Sequence, residues 1–216
     1  MNFFFDLDGT LTDPAVGITR SLQHALVALG RQAPPAAALT RFIGPPLRRT
    51  FAELLGTDDA ALLTAAIAAY RERFGVVGLY ENSVYDGIPE TLGALRAAGH
   101  RAWVVTSKPH VYARRIVAHF GLAGWFDGIF GSELSGENVD KRDLIRVALA
   151  ETGLAPSRVA MIGDRASDVD GARANGTRAV AVTWGYGSAD ELRASAPDHW
   201  VDTRAALQAL FTDLSE

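Results

Sequence analysis

The chain has 216 residues, 48% of them hydrophobic, which is enough to bury a sizeable core in one large domain or in a core with a smaller second domain. It carries 21 basic and 25 acidic residues, and this net charge of -4 argues against a nucleic-acid partner, whose phosphates select a basic face. There is no cysteine, which excludes disulfides, thiolate metal sites and cysteine nucleophiles, and no apolar run reaches the roughly 18 residues of a membrane-spanning helix.

Residues 3–5 are three phenylalanines that run into Asp6-Leu7-Asp8-Gly9-Thr10, which reads as a buried strand feeding a tight loop. The N-terminal six residues have neither a basic region nor a cleavage site, so a cytoplasmic protein is expected; a monomer or homodimer is the expected assembly. From Val16 to Leu29 apolar residues recur at helical spacing until Gly30. Breaks follow at Pro34-Pro35 and at Gly44-Pro45-Pro46, where Pro46 suits the first turn of a helix through Leu55. Residues 60–74 are alanine-rich and helical, so residues 14–80 read as an all-helical segment.

The pattern then changes. Helices are expected over 87–98, 111–120, 141–152, 167–174 and 204–214, and strands over 100–105, 126–130, 159–162, 178–182 and around 200–201. Strands alternating with helices of about ten residues predict a parallel sheet. Ligands of such sheets bind outside the carboxyl ends of the strands. The helical segment is inserted after the first strand, which predicts a lid over those ends, with hinges at Pro14 and residues 80–83.

Polar residues collect at the expected strand ends. Asp6 and Asp8 follow the first strand, Thr106, Ser107 and Lys108 the second, and Asp164 and Asp168 a later one, while Lys141 opens a helix. Crowded carboxylates repel one another unless a cation neutralises them. With oxygen ligands only, and with His24, His100, His110, His119 and His199 scattered without metal spacing, the expected cation is Mg²⁺. Lys141 and Lys108 would balance a phosphate beside it. They are also the only lysines among 21 basic residues, which suggests sites where a compact ammonium is needed and a planar guanidinium does not serve.

The pentapeptide from Asp6 to Thr10 resembles the first motif of the haloacid-dehalogenase-like superfamily. The other three motifs follow in family order: Thr106 after an apolar strand, Lys141 before a helix, and Gly163-Asp164 with Asp168 four residues on. Gly44-Pro45-Pro46-Leu47 and residues 184–188 are similar to segments of the phosphoglycolate-phosphatase-like branch. The resemblance implies an α/β fold. A Rossmann-like parallel sheet with helices on both faces would occupy residues 1–13 and 81–216, with an all-helical cap of the first type at 14–80. It implies a Mg²⁺-dependent phosphatase acting on a small-molecule phosphate ester, with 2-phosphoglycolate the first expectation. A 5′-nucleotidase, a pyrophosphatase or a sugar phosphomutase are alternatives, and a non-catalytic phosphate-binding regulator is disfavoured because every motif residue is present. Carried over by position, Asp6 is the nucleophile, Asp8 the acid/base, Thr106 a phosphoryl hydrogen-bond donor and Lys141 the charge balance. Asp6, the main-chain carbonyl of Asp8, and Asp164 would hold the metal, with Asp168 acting through water. Ser107, Lys108 and, from the cap, Arg48 are the remaining candidates for substrate binding. Asp13, Trp184 and Tyr186 read as residues that shape loops.

Overall fold

A computed structural model describes residues 1–214, which form two compact units. The first comprises residues 1–13 and the chain from Val84 onward, and the second is Pro14–Ser83.

The first unit is built on a parallel six-stranded sheet. Its strands are β1 (Asn2–Phe5), β4 (Arg101–Pro109), β5 (Gly128–Ser132), β6 (Val159–Gly163), β7 (Arg178–Val182) and β8 (His199–Val201), in the order β5-β4-β1-β6-β7-β8. Two further strands of two residues, β2 (Thr12–Asp13) and β3 (Ser83–Val84), lie where the chain passes from one unit to the other. β1 is central, with Phe5 in register with Val104 of β4 on one side and Ile162 of β6 on the other. The strands that follow wind outward in opposite directions from it. The carboxyl end of β1 is therefore the switch point at which such sheets hold ligands.

The three phenylalanines of β1 are 0–1% exposed, and burial of each contributes about 1.5–3 kcal/mol. They alternate between faces, as a strand with helices on both sides requires. Phe4 joins Trp103, Met161, Leu144, Ile145, Val169 and Ala172. This is the face covered by α7 (Lys141–Thr152) and α8 (Ala166–Ala174). Phe3 packs edge-on against Phe211 of α10 (Arg204–Asp213), whose neighbour is α5 (Ile88–Ala97). Helices α6 (His110–His119) and α9 (Ala189–Ser195) complete the unit. Asp140 caps α7 by accepting from the Arg142 N–H, and Gly153 ends it in the left-handed conformation. Lys141 is thus fixed as the first residue of the helix.

The second unit contains α1 (Ala15–Ala28), α2 (Ala36–Leu39), α3 (Leu47–Leu55) and α4 (Ala60–Arg73), the last running into a π-helical turn over Phe74–Gly78. Its core includes Leu22, Leu26, Leu39, Phe51, Leu63 and Tyr70, with the Tyr70 and Phe74 rings stacked at 5.2 Å. Gly17 of α1 lies so close to the Gly78 carbonyl that a Cβ would overlap it. Glu81 pairs with both Arg73 and Arg20 at 2.7 Å.

Some elements differ in extent from the expectation, and others were not foreseen. β4 continues to Pro109, past the expected end at residue 105, because a register shift between Thr106 and Pro109 keeps the irregular segment paired with β5. α2, α9 and the π-helical turn are not foreshadowed by the sequence pattern. The first two are only 4 and 7 residues long, too short for periodicity to register.

Candidate active site

Asp6 extends β1 by one residue and donates its N–H to the Ile162 carbonyl at 2.9 Å. The chain then folds into a tight loop in which the Leu7 carbonyl accepts from the N–H groups of Leu11 and Thr12, and Gly9 takes φ +84°, where a Cβ would be strained. A Cβ at Gly9 would also overlap the Asp164 carboxylate, so glycine lets the loop close onto that residue.

Asp164 follows β6 and is 1% exposed. One of its oxygens accepts from the Thr10 hydroxyl at 3.2 Å and the other from the Tyr186 N–H at 2.7 Å. Burial, aided by the negative charges of Asp168 and Asp6, pushes its pKa up to about 7. Asp168 sits in the first turn of α8, where its carboxylate accepts from the Arg165 N–H at 3.1 Å. Its other oxygen meets Lys141 Nζ at 2.8 Å. Burial raises its pKa too, with Lys141 opposing and Asp6 adding to the rise. Carboxylate oxygens of Asp6, Asp164 and Asp168 lie within 4.8 Å of one another.

Lys141 Nζ reaches Asp6 at 3.0 Å, Asp168 at 2.8 Å and the Val105 carbonyl at 3.0 Å. Burial alone would lower its pKa, but the Asp168 and Asp6 carboxylates outweigh burial, and the ammonium is held charged. One lysine against three clustered carboxylates leaves an uncompensated negative charge. A divalent cation with oxygen ligands fits that donor set.

Asp8 lies beside the cluster, not in it. Its Oδ2 pairs with Lys108 Nζ at 2.5 Å, and among the described residues Oδ1 is buried without a hydrogen-bond partner. Burial raises the Asp8 pKa, with Lys108 opposing. Thr106 is 2% exposed, and its oxygen accepts from the Lys108 N–H at 3.2 Å, so its hydroxyl proton remains to be donated elsewhere. The Ser107 hydroxyl is turned to the Val139 carbonyl at 2.9 Å. Arg48 lies exposed on α3 of the second unit and forms no ion pair among the described residues.

The loop after β7 is part of the site, although Trp184 and Tyr186 read from the sequence as residues that shape it. Trp184 Nε1 donates to the Thr10 carbonyl at 3.1 Å, the Tyr186 N–H holds Asp164, and the Tyr186 hydroxyl donates to Asp13. A Cβ at Gly185 would overlap both Asp164 and the Gly9 carbonyl. The alternating glycines of Trp184-Gly185-Tyr186-Gly187 were the available signal.

The fold and this constellation define a phosphatase of the haloacid-dehalogenase type. Residues 3–182 match the model of the haloacid dehalogenase-like hydrolases, and the chain belongs to that family. A 5′-nucleotidase of Pseudomonas aeruginosa is 52% identical over 96% of this chain and 93% of its own. The tyrosine-protein kinase PtkA of Mycobacterium tuberculosis is 45% identical over 86% of this chain but only 63% of its own length. A phosphoglycolate phosphatase of Thiobacillus denitrificans is 30% identical over 84% of this chain and 82% of its own. Among solved structures, a predicted phosphatase from Clostridium acetobutylicum superposes with a TM-score of 0.93 at 40% identity, covering 98% of both chains.

Proposed function

We propose that the protein hydrolyses small phosphate monoesters through an aspartyl-phosphate on Asp6. The observation that carries this reading is the placement of Asp6 and Asp8 on one loop, with Lys141 on Asp6 and Asp8 outside the carboxylate cluster. A carboxylate oxygen of Asp6 attacks phosphorus, and the bond to the leaving oxygen breaks while Asp8 gives that oxygen a proton. Water then attacks the phosphorus of the aspartyl-phosphate, Asp8 takes the water's proton, and phosphate departs from Asp6. Lys141 neutralises charge between nucleophile and phosphoryl group, and the free hydroxyl proton of Thr106 is donated to a phosphoryl oxygen. Asp6, the Asp8 main-chain carbonyl and Asp164 would hold Mg²⁺, with Asp168 acting through water. When bound, the ion would supply positive charge to the phosphoryl oxygens.

A nucleoside 5′-monophosphate is the favoured substrate class. The 5′-nucleotidase is 52% identical over nearly the whole chain, against 30% for the phosphoglycolate phosphatase expected first from the sequence. The test is phosphate release from nucleoside 5′-monophosphates, 2-phosphoglycolate, sugar phosphates and pyrophosphate, with sugar products checked for isomerisation. Turnover with Mg²⁺ that disappears in Asp6→Asn supports the reading. Near-normal turnover in that variant would require another nucleophile.

A further inference from the structure

We infer that Lys108 is a positioning residue for Asp8: by anchoring Oδ2 it leaves Oδ1 as the oxygen that gives and takes the proton. The inference rests on the proposed reaction, in which Asp8 is the acid/base, and assigns Lys108 a task other than contact with the substrate phosphate.

The geometry has three parts. Lys108 Nζ meets Asp8 Oδ2 at 2.5 Å, between side chains only 5% and 12% exposed. Oδ1 of the same carboxylate is buried and, among the described residues, accepts no hydrogen bond. A buried carboxylate oxygen without a donor costs free energy unless a ligand completes it, so such an atom beside a reaction centre is the one poised for a substrate proton. The third part is how firmly Lys108 itself is held. It lies in the irregular stretch of β4 between Thr106 and Pro109, where its N–H bonds to Thr106 Oγ1. The Ser107 carbonyl just before it accepts from the Ser132 hydroxyl at 2.7 Å. Across from it, a Cβ on Gly131 would come within 2.6 Å of the Lys108 carbonyl and 2.7 Å of His110, so the stretch is seated against β5 by the absence of a side chain there. The ammonium is thus delivered from fixed backbone rather than from a loose surface arm.

This arrangement makes the two carboxylate oxygens inequivalent. A carboxylate free to rotate would present either oxygen at varying angles. A pinned one presents a single oxygen from a single direction, which general acid catalysis requires of a proton donor in the transition state. The burial of this pair also accounts for a compact lysine in a chain that otherwise uses arginine at 19 of 21 basic positions.

The experiment compares wild type, Lys108→Met, Lys108→Arg, Asp8→Asn and the double variant Lys108→Met/Asp8→Asn in the full chain with Mg²⁺. Values of kcat/KM are measured on p-nitrophenyl phosphate, phenyl phosphate and an alkyl phosphate, whose leaving groups need protonation increasingly. Positioning predicts that Lys108→Met loses about tenfold or more on the alkyl ester, within the roughly 10²–10⁴ of general acid catalysis, and less than about threefold on p-nitrophenyl phosphate. It also predicts that Lys108→Met adds little further loss to Asp8→Asn, and that Lys108→Arg recovers part of the alkyl activity. Should Lys108→Met not fold, as judged by circular dichroism, Lys108→Gln is read the same way. An equal loss on all three esters, multiplying that of Asp8→Asn, would identify a phosphate contact and overturn the positioning role alone. A wild type that releases phosphate from no ester would overturn this inference together with the reaction it rests on.

Discussion

Replacing Asp164 by asparagine should make the metal-free protein more stable while abolishing its response to Mg²⁺. The carboxylate is 1% exposed and shares its surroundings with Asp168 and Asp6. Its pKa is raised from 3.8 to about 7 by burial and then by those two neighbours. A carboxyl whose folded-state pKa lies above its unfolded value takes up its proton more readily in the folded state. Its contribution is fully favourable below the unfolded pKa of 3.8 and is lost as pH rises through about 7. At pH 8 the ionised group therefore costs the apo fold on the order of 4 kcal/mol, since each tenfold change in proton affinity is worth about 1.4 kcal/mol. The amide removes that charge and can keep both hydrogen bonds, its oxygen accepting from the Tyr186 N–H and its nitrogen donating to Thr10. In chelator at pH 8 the variant should melt about 10 °C above wild type, since 1 kcal/mol moves Tm by roughly 2–4 °C at this size. The gap should shrink steadily toward pH 4, and Mg²⁺ should raise Tm in wild type only. Melting curves by circular dichroism at pH 4.5, 6 and 8, with and without Mg²⁺, decide the matter. A variant no more stable than wild type in chelator at pH 8, or a gap independent of pH, would refute the electrostatic argument.

Chelation should abolish phosphate release and Mg²⁺ should restore it, whereas Ca²⁺, with its larger and looser coordination, should support it poorly; full activity in excess chelator excludes the metal. Gly185→Ala should lose at least about 1–3 kcal/mol of stability and most turnover, because the added Cβ overlaps Asp164 and the Gly9 carbonyl, both backed by buried structure. Normal melting and turnover in that variant would show that the loop after β7 yields freely. Arg48→Ala should raise KM for 2-phosphoglycolate far more than for a singly anchored chromogenic ester if this arginine forks onto a second anionic group; equal factors on both would leave it a solvated residue of α3.

How much of this was legible in the sequence depended on how local the cause was. The strand Asn2–Phe5 is announced by three consecutive phenylalanines and ends at an Asp-x-Asp-Gly loop, so its burial and the loop that follows it are read from neighbouring residues, whereas its central place comes from pairing with the distant β4 and β6. Lys141 is placed by Asp140, the cap immediately before it, and its identity as one of two lysines marked it out. The glycines of the Trp184–Gly187 loop marked it out, but its contacts were not legible, because its partners, Thr10, Asp13 and Asp164, are brought to it only by the order of strands in the sheet. Ser107 was expected at the substrate on the strength of its neighbours. In the structure its hydroxyl donates to the Val139 carbonyl from the irregular stretch of β4, a placement that no periodic pattern encodes. Lys108 stood out by residue type, but its pairing with one particular oxygen of Asp8 is a matter of tertiary geometry.

Both side-chain amines of the protein are sequestered, Lys108 at 9% and Lys141 at 3% exposure, while the positive charge of its surface is carried by guanidinium groups. An acylating reagent aimed at primary amines therefore meets no accessible lysine on the folded chain, and attachment to a support or a fluorophore by that chemistry leaves the lysines intact. Lysine modification becomes a reporter instead of a nuisance. It can proceed only as fast as Asp8 releases Lys108, or Asp6 and Asp168 release Lys141, so its rate measures how often these buried ion pairs open.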